Sequence, residues 1–151
     1  MRHASLVLAA CLALAGCTGT ETLPTGTLRI QSQNGDVELL VEIAETGSDR
    51  SRGLQGRSEL AENSGMAFVF DEPEHGPFTM EDTVIPLSIA FWDESGRITD
   101  IFDMNPCRKD PCRLYESGSP FVGAVEVNQG FFREHDVAVG DEVELERSDG
   151  A

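Results

Sequence analysis

Two cysteines, Cys107 and Cys112, stand out in the stretch Asp103 to Tyr115, DMNPCRKDPCRLY. Each directly follows a proline, and Met104 precedes the first by three positions. Thiols this close could hold a metal, exchange electrons or close a ring. Structural zinc needs four ligands, and C-x-x-x-x-C with no second pair offers two. A redox-active C-x-x-C has two intervening residues, not four. The third option depends on compartment, because disulfides persist in exported proteins.

The amino terminus speaks to compartment. Arg2 and His3 precede an apolar run from Ala4 to Ala15, then Leu14-Ala15-Gly16-Cys17. The run is shorter than the ~20 apolar residues that span a bilayer. Its layout is that of a signal peptide over residues 1–16, ending in a box that resembles the lipobox of bacterial lipoproteins. That resemblance implies cleavage before Cys17, a diacylglycerol thioether on its sulfur and an exported chain facing the periplasm or cell exterior. Several acyl chains on one residue anchor stably where one binds marginally. An ordinary signal peptide is the competing reading. Residues 17–26, small and polar, are expected to be a flexible tether, and residues 148–151 a short tail. In this setting Cys107 and Cys112 are expected to form a disulfide, and no metal or cofactor is expected.

Other residues invite chemistry less insistently. Met66, Met80 and Met104, with His75, could offer thioether and imidazole ligands to Cu(I) in a periplasmic copper protein. Filling a β core is the alternative for the methionines. Arg52 and Arg57 could grip an anion bidentately or pair with local carboxylates. Asp82, Asp93, Asp103 and Glu126 are candidates for acid–base work on an envelope polymer or glycan. Asp93, though, opens a turn, and Glu126 is expected on a solvated strand face. No Ser-His-Asp order, P-loop or H-E-x-x-H is present.

With a formal net charge of −16, the chain should be repelled by nucleic acid and by anionic lipid head groups. The expected partners are a membrane, reached through the lipid, and a small molecule or envelope component; the chain is expected to be a monomer.

The elements that must position these residues read as short strands. TLRIQS (27–32) and VELLVEIAE (37–45) flank Asn34-Gly35, a hairpin signal. MAFVF (66–70), LSIAFWD (87–93), RITDIF (97–102), FVGAVEVN (121–128) and EVELER (142–147) follow. Leu87, Ile89 and Phe91 share one face, and so do Phe121, Val125 and Val127, with Glu126 and Asn128 opposite. That alternation predicts an antiparallel sheet with one wet face. Residues 48–60 predict a short helix capped by Ser48 or Asp49, and 130–136 another turn or two. The fold class is therefore mainly β, an antiparallel sandwich or jelly-roll-like barrel with one or two short helices over residues 27–147.

The segments DRSRGLQGRSEL, GMAFVFDEP, FTMEDTVIPLSIAFWDESGRI, MNPC…CRLY and VNQGFFREHDVAVGDEV occur in this order. Together they resemble the bacterial and archaeal family known as domain of unknown function 192, over about residues 28–147. Met80, Thr83, Ile85, Pro86 and Leu87 match its strongest block. Thr79 replaces an aromatic residue there, Glu81 a lysine and Asp82 an asparagine. Arg50 and Arg57 align with the first and last arginines of a second block. The resemblance implies a small, mostly β domain and no assigned activity. The function expected from all this is a lipid-anchored binding domain of the cell envelope. Its ligand-contacting candidates are Arg57, Met80, Thr83, Met104 and Tyr115.

Overall fold

In the computed structural model of the chain, which describes residues 22–148, β1 (Thr25–Ser32) and β2 (Gly35–Ala44) make the expected hairpin. Ser32 stands opposite Gly35, so Gln33 and Asn34 form the turn. Gly35 opens β2 at φ 128°, a conformation open to glycine and strained for other residues. The signal segment and residues 17–21 of the expected tether lie outside the described residues, as do residues 149–151.

From β2 the chain passes through α1 (Gly47–Arg52) to β3 (Ser64–Glu74). The cap of α1 is Thr46, not Ser48 or Asp49: its hydroxyl accepts the Asp49 N–H at 3.1 Å. β4 (Phe78–Thr79), β5 (Leu87–Trp92), β6 (Ile98–Met104), β7 (Leu114–Tyr115), β8 (Phe121–Asn128), α2 (Phe131–Glu134) and β9 (Glu142–Arg147) follow. Seven strands form one sheet in the order β6-β5-β8-β3-β2-β1-β9. β2 and β3 run parallel and every other pair in that sheet is antiparallel. Parallel neighbours require a crossover connection, and the segment carrying α1 supplies it. β4 and β7 pair separately as a small ribbon. The sheet curls until its edges meet at one bridge, Arg97 opposite Glu142. There the Val143 N–H donates to the Gly96 carbonyl at 2.7 Å. The curl is not closed. The mainly β class with two short helices is thus realised as an open, mixed sheet plus a ribbon.

Apolar side chains are buried on both sides of this sheet. One cluster includes Leu28, Ile30, Val41, Ala67, Ala90, Val125 and Val127 and is plugged by Phe131 and Phe132 of α2. With Ile98 of β6 and Val143 and Leu145 of β9 it draws on all seven strands, so it fills the concave side. The second, around Met66, Phe68, Leu87, Ile89, Phe91, Phe121 and Ala124, lies across the other face of β3, β8, β5 and β6. The β4–β7 ribbon and Leu54, after α1, cover it. The expected wet face is therefore absent from the middle of the sheet. β5 is buried at all six positions, and Glu126 of β8 is buried rather than solvated. Trp92 fits its strand only because Gly123 stands opposite: a β-carbon there would overlap the indole ring.

Candidate functional site

A cleft of about 460 Å³ opens where the cover of this second cluster is incomplete. The turn of α1 and its exit, Gly47 to Gln55, form one wall, and residues from Glu74 to Thr83 form the other. Its apolar lining is Leu54 with Phe68, Phe70, Phe78 and Phe121. The rings meet edge to face: Phe68 with Phe78 at 5.0 Å, and Phe70 with Phe121 at 5.4 Å between centroids. Each such contact contributes about 0.5–1.5 kcal/mol beyond burial, so the walls are stiff. The two walls are tied where the Gly56 N–H donates to the Asp82 carbonyl at 3.0 Å. Gly53 turns the chain away from α1 at φ 47°, a left-handed conformation that favours glycine.

Glu126 stands among the lining residues of the cleft. It is 5 % exposed and sits in register between Met66 of β3 and Ile89 of β5. Among the described residues no hydrogen bond or ion pair reaches its carboxyl group. Yet no fully enclosed side-chain oxygen or nitrogen lacks a partner there, so the Glu126 oxygens must open onto the cleft. Burial alone pushes this carboxyl up to about 8, leaving it largely protonated at neutral pH. Thr83 is the other buried polar residue in the lining, and its hydroxyl donates to the Glu81 carbonyl at 3.2 Å. Arg50 is held on the rim. It donates to the Val69 carbonyl at 2.9 Å, and its guanidinium lies 4.5 Å over the Phe70 ring. Arg52 pairs with Asp49 at 3.3 Å. Glu74 and Glu81 complete the charged lining.

The five candidates from the sequence do not gather here. Thr83 lines the cleft. Met80, Met104 and Tyr115 are buried in the second apolar cluster and are not part of its lining. Arg57 pairs with Glu42 in a separate hollow between β2 and the segment after α1. His75 is exposed in the loop before β4, apart from the buried methionines. The four carboxylates proposed as acid–base candidates are scattered. Asp93 accepts from the Ser95 hydroxyl and from the Arg97 and Ser95 N–H groups in its turn, which lowers its pKa, and Asp82 is exposed. Asp103 is held down by the Ser88 hydroxyl and by Arg133 at 3.2 Å, anchoring α2 beside a third hollow. Paired chemistry among those four is therefore removed. The sulfurs of Cys107 and Cys112 are 2.09 Å apart with Cα atoms at 5.5 Å, and Cys107 packs at the edge of the second cluster. They sit with Asp110, but bonded sulfurs are not free as ligands.

Glu126 was weighed only as an acid–base candidate on a solvated face, and Phe68 and Phe121 were missed as site residues. The available signal was a lone carboxylate within a strand whose neighbours in the sheet are apolar on the same face.

The family model for DUF192, described as an uncharacterized ACR, matches residues 29–145. No curated protein matches the chain. A crystal structure titled as a putative transcription regulator from Sinorhizobium meliloti 1021 is similar at TM-score 0.78 and 28 % identity, covering 84 % of this chain and 98 % of that one. A protein of unknown function from Novosphingobium aromaticivorans DSM 12444 is similar at TM-score 0.76 and 28 % identity, covering 90 % and 94 %.

Proposed function

The chain belongs to the DUF192 family, and from that premise we propose that it is a non-catalytic binding domain, held at the cell envelope by a lipid on Cys17, whose cleft takes a small organic ligand. The observation that supports this most is the carboxyl group of Glu126, buried without a partner among the described residues and open to an aromatic-walled cleft. An unpartnered buried polar group costs about 1–3 kcal/mol, so a fold that keeps one facing a cleft leaves an unfilled hydrogen-bonding position. A volume near 460 Å³ is within the range of small-molecule sites. Anchoring rests on the layout of residues 1–17, and the ring closed by Cys107 and Cys112 fits the oxidising compartment that such an anchor implies.

Amide chemical shifts of the chain, titrated with 2-phenylethanol, phenethylamine and phenylacetate, test the site. Perturbations gathered on residues 47–55, 74–83 and 121–126 are the expected result. No perturbation by any of the three, or perturbation centred on Arg57 and Glu42, would overturn it.

A further inference from the structure

The structure assigns the cleft a ligand class: a compact organic cation, its ammonium against the Glu126 carboxylate and its apolar part among Phe68, Phe70, Phe78 and Phe121. This rests on the binding reading above and names what would be bound.

Three observations converge on it. The buried polar group facing the cleft with an unfilled bonding position is acidic, and a carboxylate accepts two or more ammonium hydrogens that water would otherwise take. The rings around it present electron-rich faces and edges suited to an alkylammonium and its carbon skeleton. The cations already present are engaged elsewhere: Arg50 by the Glu45 and Val69 carbonyls and the Phe70 ring, Arg52 by Asp49. An anionic ligand would face Glu126, Glu74 and Glu81, and among the described residues no unengaged cation lines the cleft. Over the whole chain, a net charge of −16 draws cations and repels anions at longer range.

Binding is then linked to proton release. Arg50 and Arg52 face the cleft from the α1 side, Glu74 from β3 and Glu81 from the turn after β4; β5 contributes only apolar neighbours to Glu126. None of these charges holds Glu126 ionised in the empty cleft, because burial is the sole cause of its raised pKa. A cation entering must therefore ionise the acid, and the proton passes to solvent. No covalent bond changes.

Calorimetric titration of the full chain with phenethylammonium, 2-phenylethanol and phenylacetate tests this between pH 6 and 8.5. Phenethylammonium should bind at least ten-fold more tightly than the alcohol at pH 8. Its affinity should rise by up to about ten-fold per pH unit below pH 7.5, and about one proton should be released at pH 7, read from the dependence of heat on buffer ionisation enthalpy. Glu126→Gln should abolish the pH dependence and the preference for the cation while still binding the alcohol. Glu74→Gln and Glu81→Gln should keep both. Equal affinity for amine and alcohol, tighter binding of phenylacetate, or pH dependence lost in Glu74→Gln or Glu81→Gln instead would overturn the cation and leave the binding site standing. Absence of binding by all three probes would overturn both.

Discussion

Glu126 links the stability of the domain to pH through burial. Its carboxyl titrates near 4.5 when exposed in the unfolded chain and near 8 in the fold. Between those values the folded state holds a proton that the unfolded state has lost, so stability falls as pH rises across the window and is level outside it. Integrated over the window this is roughly 3–5 kcal/mol. Glutamine has nearly the shape of the protonated acid and cannot ionise. Glu126→Gln should therefore match the wild type at pH 4.5 and exceed it by several kcal/mol at pH 8.5, measured by urea unfolding at the two pH values. A pH-independent difference would contradict the burial. Asp103 behaves with the opposite sign. The Ser88 hydroxyl lowers its pKa, so its contribution is present above the ordinary carboxylate range and is lost as pH falls through its lowered value.

Among the elements, legibility followed distance along the chain. The β1–β2 hairpin and the turn at Asp93 were readable because Asn34-Gly35 and Asp93-Glu94-Ser95-Gly96 carry their own turn chemistry. β8 and β9 were located to the residue. What could not be read was which strand faces are covered. The β4–β7 ribbon has two residues per strand and leaves no periodic signal, yet with Leu54 it buries the second apolar cluster, including the face of β8 that alternation assigned to water. Glu126 changed from a solvated side chain to the centre of the site for that reason alone. The parallel β2–β3 pair was hidden likewise: a short helix was legible at residues 48–60, but nothing in its residues says that it crosses between parallel neighbours. The loop between β6 and β7 carries Cys107 and Cys112 and leads into the ribbon strand Leu114–Tyr115, whose Tyr115 is buried in the second cluster. Closing a ring this small lowers unfolded-state entropy by about 2 kcal/mol. Cys112→Ser should lose about that much by urea unfolding, and its amide-exchange protection should fall at Leu114 and Tyr115 before elsewhere. Mass spectrometry of the unreduced chain should find no free thiol at Cys107 or Cys112.

At the scale of the whole molecule, charge and the proposed attachment act together. An acidic surface is repelled by anionic head groups, so a domain anchored through Cys17 should stand away from the bilayer rather than lie against it. Cys17→Ser should move the protein from the membrane fraction to the soluble fraction on cell fractionation, leaving cleft binding unchanged. Retention in the membrane fraction would remove the lipid from the account. The charge also suits the open seam of the sheet. β9 carries Glu142, Glu144, Glu146 and Arg147 along an edge, an arrangement that discourages pairing with another copy.

The contact of Trp92 with Gly123 has a practical consequence. This is the chain's only tryptophan, shielded on the concave side of the sheet while the cleft lies on the other. Its emission is a built-in optical reporter of whether the sheet is intact, insulated by the sheet's own thickness from whatever occupies the cleft. A variant that loses ligand and keeps a blue-shifted spectrum has lost its site; one whose spectrum moves to the red has lost its fold.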